Sequence, residues 1–148
     1  MKVLIAVDGS ECSEQAIDFV AGNAWKEGSK VLVITVVQPV PREFDFLRQS
    51  SDVSDEYMEK IERKSEKIAK EAVKKIRKKL PDYEVEYVVK AGSAASKVIQ
   101  VAKSWHANLI VVGSHGRKGF EKVFLGSVAE EIIKTAPCSV EVVRDCEH

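Results

Sequence analysis

The sequence predicts one α/β domain spanning residues 1–148, built on an open sheet of five parallel strands in the order 3-2-1-4-5, with four helices covering both faces. Five short runs rich in Val, Ile and Leu alternate with four segments of helical periodicity. Strands that alternate with helices pair in parallel through right-handed crossovers. A chain of 148 residues is long enough for one such core and too short for a second domain.

The predicted strands cover residues 3–7, 31–37, 84–89, 109–112 and 140–143. The first, second and fourth are nearly continuous in apolar residues, which is typical of central strands with helices on both faces. The third alternates, with Glu84 and Glu86 out of phase with Val85, Tyr87 and Val89, as expected at a half-exposed edge. Together the two patterns favour the order 3-2-1-4-5.

The predicted helices lie between the strands, where apolar side chains recur every three or four residues. The last of them, residues 128–135, follows a Gly-Ser pair. The positions that define the other three are Ala16, Phe19, Val20, Ile61, Ile68, Ala72, Ile76, Leu80, Val98, Ile99 and Ala102.

One long connection, from Gln38 to about Asp55, separates the second strand from the second helix. Its prolines, serines and acidic residues are typical of a surface loop. Its position beside the first strand fits a flap over the carboxyl ends of the strands equally well. The sequence leaves both interpretations open.

Charge and cysteine content narrow the classes of partner and compartment. Lysine plus arginine and aspartate plus glutamate both total 23, so no overall field favours nucleic acid or an anionic membrane. Asp8 ends the first apolar run before it could form a signal peptide, and no other run approaches a membrane span. The three cysteines, Cys12, Cys138 and Cys146, form no CxxC pair, which fits a reducing compartment. We expect a cytoplasmic protein.

A Rossmann-like sheet of this order has a defined place for a ligand. Because the crossovers leave strand 1 in opposite directions, a crevice forms at the carboxyl ends of strands 1 and 4. The loops that follow Val7 and Val112 meet there.

The most informative motif lies after the fourth strand, where the chain reads Gly113-x2-Gly116-x9-Gly126-Ser127. Glycines let successive N–H groups approach an anion without a Cβ in the way. The helix that follows begins with N–H groups that lack partners and with the positive end of its dipole. Loop and helix start together predict a polyphosphate site. Neither a P-loop ending nor GxGxxG is present.

This pattern closely resembles the nucleotide-binding signature of the universal stress protein family, and of its ATP-binding branch in particular. The resemblance extends from the run VLIAVDGS, which begins at Val3, to the run PCSVEVV, which begins at Pro137. It implies that ATP is bound with its triphosphate along the glycine loop and the helix start. The positions implicated are Gly113, Ser114, His115, Gly116, Arg117, Lys118, Gly119, Gly126, Ser127, Val128 and Ala129.

The same resemblance assigns the adenosine half of the ligand to the first two strands. In the family an aspartate at the position of Asp8 lies beside the adenosine, and main-chain groups at the positions of Ala6 and Val36 contact the base. The residues alone leave two other roles open for Asp8. It can cap the first helix, or it can hold a divalent ion, Mg²⁺ or Mn²⁺, on the phosphates.

Several residues of the loop and helix start have alternative explanations. Ser127 and Glu130 fit a capping box, which would account for the serine alone. His115 can hydrogen-bond a phosphate through a neutral ring or can point to solvent. Arg117 and Lys118 can neutralise phosphate charge or remain solvated.

Two positions depart from the family pattern. Asn108 stands where an aspartate is common, and Ser139 replaces the proline that usually follows Cys138. Both lie outside the phosphate loop, so they put local turn geometry in question more than nucleotide binding.

The sequence contains no recognisable catalytic arrangement. Its three histidines, His106, His115 and His148, lie in no serine, cysteine and acid pattern, and His106 is expected to end a helix. Hydrolysis needs a residue that positions water in line with the γ-phosphate, and only His115 is close enough to the loop to serve. We expect ATP to be held far better than it is hydrolysed, with a slow ATPase as an open alternative.

The leading hypothesis is an ATP-binding regulatory or stress-response factor of the universal stress type, whose nucleotide occupancy sets the conformation that partners recognise. A dimerisation module without nucleotide is the alternative from a different class, and the intact glycine pattern argues against it. Adenylating and sulfur-transfer enzymes would carry SGGxDS, HIGH or KMSKS motifs, which are missing.

A homodimer is expected through the fifth strand, which begins at Val140 and ends at Val143. This strand is short, apolar and predicted to lie at a sheet edge, where unpaired main-chain groups can pair with another chain. In the family that the chain resembles, the last strand meets its two-fold mate.

Overall fold

The computed structural model describes residues 1–38, 51–115 and 125–144, with the side chains of residues 51–54 left aside. The strands are β1 (Lys2–Ala6), β2 (Lys30–Val37), β3 (Glu84–Ala91), β4 (Leu109–Gly113) and β5 (Ser139–Val143). The helices of the described ranges are α1 (Glu11–Gly22), α2 (Ser51–Lys79), α3 (Ala94–Trp105) and α4 (Ser127–Thr135).

The strands form one parallel sheet in the order β3-β2-β1-β4-β5, as the sequence predicts. β1 lies at its centre, where Val3 is paired with Val31 on one side and with Leu109 on the other. β3 forms an edge, with Val85 buried and Glu84 and Glu86 exposed, so the predicted alternation is confirmed.

Each face of the sheet carries its own hydrophobic core. α1 and α2 pack over the side of Val3, Ile5 and Val33, whereas α3 and α4 pack over the side of Leu4 and Ile34. Successive side chains of a strand point to opposite faces, so a central strand covered on both faces is apolar throughout. In the part of the chain that the structure describes, no helix combines the length and the apolar character needed to cross a membrane.

The connection after β2 is shorter than the sequence predicts. Residues 51–55, which the sequence assigns to the loop, are helical, because α2 begins at Ser51. Among the described side chains of α2, those of residues 55–57 are exposed and the first half-buried one is that of Met58. These exposed residues give the sequence no apolar period that would mark the start of the helix. Residues 39–50 fall outside the described ranges, so the flap interpretation stays a prediction.

Gly113 allows α1 to lie directly against the end of β4. A Cβ on Gly113 would be 2.8 Å from both the main-chain carbon and the carbonyl oxygen of Cys12. The obstructing atoms belong to the backbone of a packed helix, so they cannot move aside as a flexible side chain would. The glycine thus has a packing role that is independent of any ligand.

We predict that Gly113→Ala destabilises the protein by about 1–3 kcal/mol, the usual range for overpacking a core. Gly22→Ala is the matched control, because nothing lies within 4 Å of a Cβ at that helical position. The control should raise stability by up to about 1 kcal/mol. Urea unfolding of both variants measures the difference, and equal midpoints would contradict the packing role.

Candidate functional site

Two strand ends and two helix starts meet at the carboxyl edge of the sheet. β1 and β4 are neighbours there, and the start of α1 packs on the end of β4 through Cys12 and Gly113. The start of α4 is tied to the same place, because the N–H of Gly126 donates to the carbonyl of Ser114 at 2.7 Å. These elements would form the walls of the predicted crevice.

The turn before α1 is held by local hydrogen bonds. Ser10 is the N-cap, with its side chain accepting from the N–H of Ser13 at 3.2 Å. Asp8 accepts from the N–H of Ser10 at 2.9 Å and precedes Gly9, whose φ of 81° favours glycine. The interpretation of Asp8 as the helix cap is thus wrong. It holds the turn that leads to the cap, and it lies half-buried beside the crevice.

Ser114 joins the end of β4 to both neighbouring elements. Its N–H donates to Val143 at 3.0 Å and its carbonyl accepts from Gly126, while the residue itself is only 4% exposed. The N–H groups of Ser114 and Gly126 are therefore engaged within the fold. The helix start that Ser114 holds in place still offers main-chain donors for a ligand.

α4 begins one residue earlier than a capping box on Ser127 requires. Gly126 is the N-cap, Ser127 is already helical, and the cap makes no side-chain hydrogen bond. The capping-box interpretation is wrong because glycine also suits this position. The N–H groups of Ser127, Val128 and Ala129 have no acceptor within the helix. The nearby carboxylate of Glu130 is paired with Lys134 at 3.1 Å.

His115 is half-buried next to the crevice. Its Nδ1 lies 3.0 Å from the hydroxyl of Ser114. Its Nε2 is shielded from solvent and finds no hydrogen-bond partner within the described residues. The interpretation in which this ring points to solvent is therefore wrong for Nε2.

The residues implicated in base binding lie on adjacent strands at the same edge. Ala6 ends β1, and Val36 is the penultimate residue of β2. The last β1–β2 pair is Ala6 with Ile34, so β2 continues past the end of β1. Alternate residues of a strand direct their main-chain groups to the same neighbour. Because Ile34 accepts from Val7 at 3.0 Å, the groups of Val36 point towards the space beyond β1.

Four predicted site residues, Gly116, Arg117, Lys118 and Gly119, fall outside the described residues, so their phosphate contacts stay predictions. Within the described ranges, no three residues of the types His, Cys, Asp and Glu come together in a way that could hold a metal ion. A divalent ion at Asp8 likewise stays a prediction.

Sequence reasoning missed a second concavity, at the far edge of the sheet. A cavity of about 450 Å³ lies beside the end of β3, with Glu62, Glu66, Tyr87 and Lys90 in its wall. The phenol of Tyr87 donates to Glu66 at 3.0 Å. This bond, together with Lys70, lowers the pKa of the Glu66 carboxyl, and it raises the pKa of Tyr87. Glu62 and Glu66, one helical turn apart, were the signal available in the sequence.

The two departures from the family pattern do not disturb the crevice. Asn108 exchanges two hydrogen bonds with the main chain of Lys2, at 2.7 and 2.8 Å, at the opposite edge of the sheet. Its amide oxygen accepts there as a carboxylate would. Ser139 begins β5 in register with Leu109. His106 ends α3, as predicted, and its backbone is in the left-handed conformation.

Cys12 and Cys138 both carry free thiols. Burial raises the pKa of the Cys138 thiol, which leaves less of the reactive thiolate. Cys12 lies in the first turn of α1, and its sulfur is 3.9 Å from the hydroxyl of Ser114.

The model of the universal stress protein family matches residues 1–144. The chain belongs to this family. A curated relative, universal stress protein MJ0531 of Methanocaldococcus jannaschii, is 32% identical over 145 residues, which cover 97% of this chain and 81% of the relative.

Two solved structures share the fold. The chain resembles that of MJ0577, also from Methanocaldococcus jannaschii, with a TM-score of 0.84 and 21% identity, over 99% of this chain and 97% of that one. It also resembles a universal stress protein from Archaeoglobus fulgidus in complex with dAMP, with a TM-score of 0.63 and 22% identity, over 97% and 98% of the two chains. At these identities the likeness concerns the fold.

Proposed function

We propose that this universal stress protein binds ATP at the carboxyl edge of β1 and β4 and acts as a nucleotide-dependent regulatory or stress-response factor. The observation that carries the proposal is the 2.7 Å hydrogen bond from Gly126 to Ser114, which holds the start of α4 beside the end of β4. A helix start directs unpaired N–H groups and a partial positive charge at an anion. The dAMP complex of the Archaeoglobus relative supports an adenine nucleotide.

The residues of the helix start fit a polyphosphate. Ser127, Val128 and Ala129 supply three N–H groups and one exposed hydroxyl. The carboxylate of Glu130, which would repel phosphate, is paired with Lys134. Arg117, Lys118 and the loop glycines would add donors and charge. Bound ATP itself would bring a divalent ion, Mg²⁺ or Mn²⁺, for which Asp8 is our candidate ligand.

The main chain of β2 fits the other end of the nucleotide. Val36 turns its N–H and carbonyl towards the space that β1 vacates after Ala6. An adenine ring carries both donors and acceptors along its edge. The end of β2 extends beyond β1, so its main-chain groups can hydrogen-bond to the adenine as they would to a neighbouring strand.

Gly126→Val should lower ATP affinity at least about tenfold, a loss of about 1.4 kcal/mol. The backbone at Gly126 has φ −64° and ψ 155°, which valine adopts readily, so the change adds side-chain volume without backbone strain. Calorimetry measures the affinity, with Gly22→Val at an open position as the control. Unchanged affinity in folded Gly126→Val and Gly116→Val would show that the site is misassigned.

ATP turnover should be far below the order of 1 per second that marks a modest enzyme. His115 is our candidate for a base, and its Nδ1 is already bonded to Ser114. A cradle that binds ground and transition states equally gives affinity without rate. Steady-state phosphate release at or above this rate, abolished by His115→Ala with ATP binding intact, would show that the protein is an ATPase.

We also propose a homodimer that forms through β5. Val143 accepts from Ser114, so the main-chain groups of alternate residues face β4, whereas those of Val140 and Val142 face outward. Val142→Pro therefore removes a donor from the open edge and leaves the β4–β5 ladder in place. Light scattering should show a dimer that Val142→Pro shifts towards monomer and that Val142→Thr preserves. A monomeric unmodified protein would refute the proposal.

A further inference from the structure

The side chains of Cys12, Ser114 and His115 form a line of hydrogen-bonding contacts beside the predicted crevice. The sulfur of Cys12, at the start of α1, lies 3.9 Å from the hydroxyl oxygen of Ser114. That oxygen lies 3.0 Å from Nδ1 of His115. The line ends at Nε2 of His115, which is shielded from solvent and has no hydrogen-bond partner among the described residues.

Two arrangements of protons fit these hydrogen bonds, because a serine hydroxyl donates one proton and Ser114 has two neighbours here, a sulfur and a ring nitrogen. If Nδ1 is protonated, it donates to the Ser114 oxygen and the hydroxyl proton goes to sulfur, a weak acceptor. If Nδ1 is unprotonated, the hydroxyl donates to this nitrogen, a much stronger acceptor, and its oxygen accepts from the Cys12 thiol, so this second arrangement is favoured. Ser114 is only 4% exposed, so water competes little for these bonds.

A neutral imidazole carries its proton on one nitrogen, and the bond made by the other nitrogen decides which. With Nδ1 accepting from Ser114, the proton of His115 resides on Nε2. A shielded N–H donor without an acceptor is unfavourable in the ligand-free protein, and an anionic oxygen that displaces the atoms covering Nε2 relieves this. A bare Nε2 lone pair would instead repel a phosphate.

We propose that Ser114 is a positioning residue, which fixes neutral His115 as the Nε2–H tautomer so that Nε2 donates to a phosphate oxygen of the nucleotide. The inference deepens the proposed function and rests on it. It assigns the side chain of Ser114 to the ring of His115 and not to the phosphate.

Long-range ¹H–¹⁵N NMR of the ligand-free, labelled protein tests the tautomer directly. The signals of His115 are identified from their loss in His115→Gln, and the pH is raised until the ring ¹⁵N shifts stop changing. We expect Nε2 in the protonated range and Nδ1 in the unprotonated range. A protonated Nδ1 would overturn the inference, whatever the protein binds.

Substitution separates the positioning role from simple packing. Ser114→Ala should mix the two tautomers and weaken ATP binding by about threefold to tenfold, the effect of losing one hydrogen bond. Cys12→Ala removes only the outer end of the line, so the tautomer and the affinity should stay as in the unmodified protein. A folded Ser114→Ala with an unchanged tautomer and affinity would refute the role of Ser114.

Titration of the unmodified protein tests the phosphate contact even if Ser114→Ala does not fold. ATP and inorganic tripolyphosphate should both move the Nε2 resonance of His115, and adenosine should not. ATP binding by calorimetry without that movement would refute the contact and leave the proposed function standing. An absence of ATP binding would refute the proposed function together with the contact, while the tautomer would still be known from the ligand-free spectrum.

Discussion

The arrangement of the carboxyl edge depends on the absence of a side chain at residue 113. Because Gly113 has no Cβ, the backbone of α1 at Cys12 can lie directly on the end of β4. This contact accompanies that of the Cys12 side chain with Ser114, which in turn holds Gly126 and the start of α4. The end of β4 therefore positions the start of α1 through Gly113 and the start of α4 through Ser114.

Among the described residues, several of the polar groups that we assign to the proposed nucleotide site belong to the main chain. The start of α4 offers N–H groups, and β2 offers the donor and acceptor of Val36. Main-chain groups keep their positions when side chains are substituted, since secondary structure sets their direction. The chain is only 32% identical to MJ0531 of the same family. A site built from main-chain groups is compatible with such a difference in side chains.

The sequence predicts the sheet well because burial on both faces produces unbroken apolar runs, and because Glu84 and Glu86 mark the exposed face of the edge. It does not locate the start of α2, since the exposed residues 55–57 near that start add no apolar period. Gly126 and Ser127 are both good N-caps, so composition cannot decide between two starts that differ by one residue. The contacts of Cys12 with Gly113 and Ser114 join distant segments and leave no local pattern.

The hydrogen bonds between Lys2 and Asn108 have a consequence for the order of folding. β1 is synthesised first, yet the partner that secures its second side lies 106 residues further along the chain. At roughly 5–20 residues per second, a ribosome needs on the order of ten seconds to supply it. During that interval the apolar central strand has an unpaired edge, which makes the nascent chain prone to aggregation. Of the five strands, the central strand β1 is thus the one whose second neighbour, β4, is synthesised after the longest delay.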